Sequence, residues 1–178
     1  AHRKLFKDEA DRLCEVGVLE RTGPSEWGSP QFISPKKDGR IRWLTDCRYL
    51  NSQLILETYP LPHIRDILSK RKGYKYFTKL DISMQYYTFE LDEESQKLCV
   101  IVTPFGHYKY LRLPMGVKQS PDIAQQAMDE LFHDLDDVDC YIDDIGIWSD
   151  DWASHMKTIN TVLQRLEEAG FTVNPLKC

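Results

Sequence analysis

Long hydrophobic runs are missing from this chain of 178 residues: no apolar stretch approaches the roughly 20 residues of a membrane-spanning helix. Ala1-His2-Arg3-Lys4 leads into no signal-peptide core, and there is no initiator Met, so the chain is expected to be a processed or excised segment of a larger protein. Paired cysteines are missing too. Cys14, Cys47, Cys99, Cys140 and Cys178 are odd in number, scattered, and never form a C-x-x-C pair. That spacing argues against a disulfide framework or a zinc site and for a reducing, intracellular compartment. The third absence is a basic excess. A net charge of −5 offers little nonspecific attraction for phosphates. The total hides a gradient, however. Residues 1–80 carry 16 Lys and Arg against 10 Asp and Glu, a net +6, while residues 81–178 carry 7 against 18, a net −11. A basic part suits phosphates and an acidic part suits cations, although solvated surface produces the same asymmetry.

What is present reads as an α+β chain. Leu5, Phe6, Leu13, Val16 and Leu19 predict an amphipathic helix from about Lys4 to Leu19, followed by a Gly-, Pro- and Ser-rich loop over 21–30. Gln31 to Pro35 and Ile41 to Thr45 predict two strands joined at Asp38-Gly39, with a basic tip, Lys36-Lys37-Asp38-Gly39-Arg40. After Pro60 and Pro62 come a short helix, Ile64 to Lys70, and a strand, Tyr76 to Asp81. Residues 87–113 hold strand-like runs at Tyr87 to Leu91, Leu98 to Thr103 and Tyr108 to Leu113. Ser120-Pro121 opens a helix with apolar residues Ile123, Ala124, Ala127, Met128, Leu131 and Phe132. Strands over Val138 to Ile142 and Ile145 to Trp148 follow. A helix from about Trp152 to Ala169, with Met156, Ile159, Leu163 and Leu166 buried, and a strand at Phe171 to Val173 complete the chain.

With 87–113 set aside as an insertion, the order from Tyr76 is β-α-β-β-α-β, the split, ferredoxin-like pattern. Right-handed crossovers make the strand before Asp81 parallel to the strand before Asp143-Asp144, so both end on one edge of the sheet. Three carboxylates distant in sequence are thereby expected together. Asp-Asp in a two-strand turn also arises from turn chemistry alone. Close carboxylates repel one another unless a cation neutralises them, and such a group points to divalent metal and phosphoryl or nucleotidyl transfer.

These residues lie within a longer series of motifs. Tyr141-Ile142-Asp143-Asp144 resembles the Tyr-x-Asp-Asp box of reverse transcriptases, and Leu80-Asp81-Ile82-Ser83-Met84-Gln85-Tyr86 resembles their first aspartate motif. Trp27 to Pro30, Lys36 to Gly39, Asp46 to Asn51, Tyr59 to Pro62, Thr103 to Tyr108, Leu113 to Gly116, Ser120-Pro121 and Gly170 to Cys178 follow the same family's order. The resemblance spans nearly the whole chain and is nearest to the gypsy-like enzymes of LTR retrotransposons and retroviruses.

The resemblance implies fingers over about 1–75 and 87–118, a palm over about 76–86 and 119–178, and no thumb or RNase H in this chain. It implies DNA synthesis from deoxynucleoside triphosphates on a primed RNA or DNA template, as part of a retroelement polyprotein. The polyprotein would supply thumb and RNase H, and the compartment would be the cytoplasm, with access to the nucleus. By the family pattern Asp81, Asp143, Asp144 and the Ile82 carbonyl hold two Mg²⁺ ions, with Mn²⁺ as a substitute. Lys36 and Arg42 match residues that clamp the triphosphate, and Tyr86 matches a steric gate against ribonucleotides. Met84 and Gln85 offer backbone N–H groups to phosphates, Met115 lies at the nucleotide, and Lys177 matches a lysine proposed to protonate the leaving pyrophosphate. Read without the motifs, Lys36 is a solvated hairpin tip and Tyr86 a core tyrosine. Gln85 stands where relatives often carry a small residue, Met115 where they often carry Gln or Phe, and Gly146 where a bulky strand residue is usual. Two other functions stay open: an inactive or domesticated module that binds nucleic acid or protein, and an unrelated carboxylate metallo-phosphohydrolase.

Overall fold

The computed structural model describes residues 2–36, 39, 41–55, 58–71 and 73–178, leaving aside the His2 side chain. It divides into two compact units, Ala1–Leu56 with Tyr86–Ser120, and Glu57–Gln85 with Pro121–Cys178.

In the first unit, α1 (His2–Glu15) buries Phe6, Ala10 and Leu13, one face at helical spacing. It stops earlier than the apolar pattern predicts because Gly17 takes a φ of 72° and the Val18 N–H returns to the Leu13 carbonyl at 2.9 Å. Leu19 consequently starts a strand, β1 (Leu19–Thr22). The remaining strands are β2 (Ser29–Pro35), β3 (Ile41–Thr45), β5 (Val100–Thr103) and β6 (Gly106–Tyr110), in the order β1-β6-β5-β2-β3. All pairings are antiparallel except β2 with β5. The predicted β2–β3 hairpin is present, with Pro35 opposite Ile41; Lys37, Asp38 and Arg40 of its basic tip lie outside the described residues. The core joins α1 to Trp43, Ile101, Tyr108 and Tyr110, and the Trp43 indole N–H donates to the Tyr110 hydroxyl at 2.9 Å.

Two short helices escape the periodicity: α2 (Arg48–Gln53) and α4 (Glu93–Leu98). The second begins at a cap that the sequence displays, since the Asp92 carboxylate accepts from the Ser95 N–H at 2.7 Å and Glu93 and Glu94 fill the first turn. The strand expected over Tyr87 to Leu91 is instead a 3-10 turn, Gln85–Thr88, followed by a single bridge from Glu90 to Arg112. Tyr87 packs inward towards Tyr110, and a tight turn achieves that burial without a paired strand.

The second unit holds α3 (Ile64–Lys70), β4 (Tyr76–Ser83), α5 (Ser120–Phe132, from Pro121 on), β7 (Val138–Tyr141), β8 (Asp144–Ser149), α6 (Trp152–Glu168) and β9 (Thr172–Val173). Its sheet order is β7-β8-β4-β9, the split β-α-β-β-α-β topology expected from the sequence. Both β4 and β7 pair antiparallel with β8, so they run the same way. Residues 58–71 and 73–75, set with the first part by the sequence division, group here. Tyr59 Oη donates to Asp129 at 2.8 Å, and Arg71 donates to Asp139 at 2.6 Å.

Leu80, Ile82, Met128, Phe132, Ile145, Ile147, Val162 and Leu166 form this unit's core. The buried face of α6 differs from the predicted one. His155, Val162 and Leu166 are inside, while Met156 and Leu163 are each 38% exposed. Polar His155 takes the interior position because Thr78 Oγ1 lies 2.9 Å from one ring nitrogen and Ser149 Oγ 3.0 Å from the other. Ile123 of α5, counted with the apolar face, is likewise 40% exposed. Gly146 follows from crowding: a Cβ there would come within 3.1 Å of the Trp148 indole nitrogen.

The displaced face is testable. Leu166→Ala should lower the unfolding free energy by about 2–5 kcal/mol in urea titration. Leu163→Ala should cost less than about 1 kcal/mol. Equal losses would return the face to the one the apolar pattern predicts.

Candidate active site

The site grows out of one strand pairing. In the β4–β8 ladder Asp81 stands opposite Asp144, and in the β7–β8 ladder Tyr141 also stands opposite Asp144. Only Ile142 and Asp143 remain to make the turn. Asp143 is thus the last residue before the strand that carries Asp144, and both lie at the edge where Asp81 sits. The Ile82 N–H donates to the Asp143 carbonyl at 2.8 Å, and the Asn174 N–H to the Asp81 carbonyl at 2.8 Å, tying the turn and the chain after β9 to β4.

The turn is strained. Ile142 has a φ of 55°, the pattern of a type II′ hairpin turn, where glycine is the usual occupant. A β-branched residue in that region costs about 1–3 kcal/mol and persists only where its surroundings fix it. Two buried glutamines hydrogen-bond its peptide groups. Gln125 Oε1 accepts from the Ile142 N–H at 2.8 Å, and Gln85 Nε2 donates to the Ile142 carbonyl at 2.9 Å.

Charge at this edge is nearly balanced by side chains. Lys177 Nζ lies 3.1 and 3.0 Å from the two oxygens of buried Asp81, and Lys79 Nζ lies 2.9 Å from Asp144. Asp143 has no ion-pair partner among the described residues. Its pKa is raised above the ordinary carboxylate value, first by partial burial and then by Asp144 and Asp81, with Lys177 opposing. The hydrogen bond to Asp144 raises the pKa of Lys79.

The three acids therefore share one edge, as expected. They do not form a ready cage: among the described residues no three His, Cys, Asp or Glu side chains are grouped to hold a metal ion. The physical reason is the two ammonium groups, which draw Asp81 and Asp144 to themselves. The donor set nevertheless fits a hard divalent cation, being all oxygen, mutually repulsive, and already attractive to cationic groups. A metal would take over the neutralisation now supplied by Lys177 and Lys79. Ile82, whose carbonyl was expected to contribute, is a buried strand residue beside Asp81.

Met84 is exposed at the end of β4 with a φ of 52°, and Gln85 opens the 3-10 turn with its side chain turned inward to Ile142. Within the first unit, Lys36 is exposed at the end of β2, its carbonyl accepting from the Gly39 N–H. Arg42 is exposed on β3 opposite Ser34, on the face away from buried Trp43. Tyr86 is half-buried in the 3-10 turn. Met115 is exposed in a loop that Asn51 holds from both sides: its amide donates to the Gly116 carbonyl and accepts from the Lys118 N–H, at 2.8 and 2.9 Å. Gly116 has a φ of 108°, and a Cβ there would lie 3.3 Å from the Thr45 carbonyl. The supports Asn51, Gln85 and Gln125 were missed as such by sequence reasoning. Asn51 and Gln85 stood inside recognised motifs; Gln125 carried no local signal beyond a polar residue on the buried face of a helix.

The split sheet of the second unit with an acidic hairpin at its edge, together with the five-stranded first unit, is the α+β architecture of a reverse-transcriptase polymerase domain. The chain belongs to that family: residues 34–178 match the profile described as reverse transcriptase (RNA-dependent DNA polymerase). It is 39% identical over 178 residues to an uncharacterized protein of Caenorhabditis elegans, covering 98% of this chain and 14% of that protein. It is 31% identical over 184 residues to the retrovirus-related Pol polyprotein from transposon 297 of Drosophila melanogaster, covering 99% and 17%. Among solved structures it resembles the native prototype foamy virus protease-reverse transcriptase, with a TM-score of 0.89 and 29% identity over 97% of this chain and 23% of that one. A foamy viral protease-reverse transcriptase in complex with an RNA/DNA hybrid gives 0.88 and 25%, covering 95% and 23%. The chain thus spans well under a quarter of the curated relatives it matches. No described helix is long and apolar enough to cross a membrane.

The raised pKa of Asp143 carries a sign. A carboxyl whose folded pKa exceeds its unfolded one contributes stability below the unfolded pKa and loses it as pH rises through the folded value. Ionised Asp143 therefore destabilises the metal-free chain at neutral pH. Asp143→Asn should raise Tm in EDTA at pH 7, and the gain should shrink below about pH 4. A lowered Tm at pH 7 would contradict this.

Proposed function

We propose that this chain is the polymerase centre of an LTR-type reverse transcriptase, catalysing RNA-directed DNA synthesis within a retroelement polyprotein. The observation that carries the reading is the register that places Asp81 opposite Asp144 with Asp143 in the intervening turn. In this reading the first unit serves as fingers and the second as palm, and the rest of the polyprotein supplies thumb and RNase H. Asp81, Asp143, Asp144 and the Ile82 carbonyl would hold two divalent ions, Mg²⁺ or Mn²⁺. Bound there, the ions would supply Lewis-acid activation of the primer 3′-hydroxyl and neutralise charge on the phosphates.

The chain's own side chains do the remaining work. Lys36 and Arg42 bind the triphosphate of the incoming deoxynucleotide, with the N–H groups of Met84 and Gln85 as further donors. Met115 shapes the nucleotide's surroundings, and the Tyr86 ring excludes a ribose 2′-hydroxyl. Lys177, released from Asp81, holds a proton for the departing pyrophosphate. Template and primer are the macromolecular partners, consistent with foamy viral enzymes solved with double-stranded DNA and with an RNA/DNA hybrid. The site of action is a retroelement particle in the cytoplasm, with access to the nucleus.

A second reading, an inactive or domesticated module, draws on one observation: lysines already neutralise Asp81 and Asp144. Primer extension separates the two. The polypeptide containing this chain should extend a DNA primer on a homopolymeric RNA template with Mg²⁺, and Asp143→Asn should reduce synthesis by at least about 100-fold. No synthesis by the unaltered polypeptide, or equal synthesis by the variant, would favour the inactive module. Tyr86→Val should raise ribonucleotide incorporation in the same assay; unchanged discrimination would remove the gate from Tyr86.

A further inference from the structure

Gln125 and Gln85 are buried polar side chains whose amides converge on one peptide unit, at 0% and 3% exposure. Gln125 makes three hydrogen bonds, accepting from the Ile142 N–H and donating to Asp129 Oδ1 at 2.8 Å and to the Cys140 carbonyl at 3.1 Å. Asp129 in turn accepts from the Tyr59 hydroxyl at 2.8 Å. A line of hydrogen bonds therefore runs from Tyr59, in the Tyr59-Pro60-Leu61-Pro62 motif, through Asp129 and Gln125 to the residue before Asp143. Asp129 also fixes which way the Gln125 amide points. With a carboxylate beside it, the amide nitrogen must face Asp129, and the oxygen is left for Ile142. Gln85 holds the other side of the same residue through the Ile142 carbonyl, and its own Oε1 is buried without a partner among the described residues.

A buried amide need only be satisfied, and a helix or strand offers many ways to satisfy it. These two instead bracket the one residue in the hairpin whose φ an isoleucine rarely adopts. We propose that Gln125 and Gln85 are positioning residues: they hold Ile142 in the left-handed region and thereby set the Asp143 and Asp144 carboxylates at the sheet edge. The consequence for metal binding rests on the proposed function; the clamp on the turn does not. If the glutamines act through the turn's φ, a glycine at 142, which adopts that φ freely, removes the need for them.

The test uses the 178-residue chain with Mn²⁺ binding followed by electron paramagnetic resonance and folding checked by circular dichroism. Gln125→Met should weaken Mn²⁺ binding by about tenfold or more, as loss of a support behind a metal ligand does. Adding Ile142→Gly should bring the affinity back to within about threefold of the parent, since the turn then needs no clamp. A loss that Ile142→Gly leaves unrepaired, or no loss at all, would overturn the proposal. If the parent binds no Mn²⁺, or Asp143→Asn binds it equally, the metal reading fails and amide exchange in EDTA decides the clamp. There Gln125→Met should speed exchange of the Ile142 N–H by about tenfold or more while Ile147 in the core is unchanged. Equal exchange at Ile142, or the same acceleration at both, would overturn it.

Discussion

One antiparallel pairing, β4 against β8, governs the second unit and the site it carries. The register that buries Leu80, Ile145 and Ile147 also places Asp81 opposite Asp144. Side chains alternate along a strand, so a slip of one residue would turn the apolar set outward and carry Asp144 to the other face. The hydrophobic core therefore specifies the position of the acids, and each part of the ladder constrains the other.

Holding acids at a sheet edge has a cost. Asp143 is pushed towards its neutral form, and Ile142 occupies a backbone region that its side chain disfavours. The structure offsets these costs locally, with two lysines on the carboxylates and two glutamines on the turn. Such local strain, held by rigid surroundings, is common where a protein keeps a site prepared for a ligand. Lys177 and Lys79 are displaceable: both are surface side chains whose ammonium groups can return to water.

Much of this was legible beforehand because periodicity and turn chemistry are local. The β2–β3 hairpin followed from two strand-like runs flanking Asp38-Gly39, and the split sheet followed from the alternation of strands and helices between Tyr76 and Val173. Right-handed crossovers then sufficed to bring Asp81 to Asp143 and Asp144. What escaped depends on three-dimensional partners. His155 lies inside because Thr78 and Ser149 flank it, which no helical pattern reveals. Gln125 reads as an ordinary helix residue until Ile142 is seen beside it. The lysines on Asp81 and Asp144 were equally hidden, since ion pairing between residues distant in sequence, 96 apart for Lys177 and Asp81, leaves no local trace.

In the proposed function these three aspartates are a divalent-cation site, with lysine side chains on Asp81 and Asp144 in the absence of metal. A crystal structure of the chain grown with Mn²⁺, read by anomalous scattering, tests it most directly. The expected map holds a manganese peak bound by Asp81 and Asp143, with Lys177 Nζ no longer on Asp81. A sheet edge without manganese, and with Lys177 still against Asp81, would contradict it.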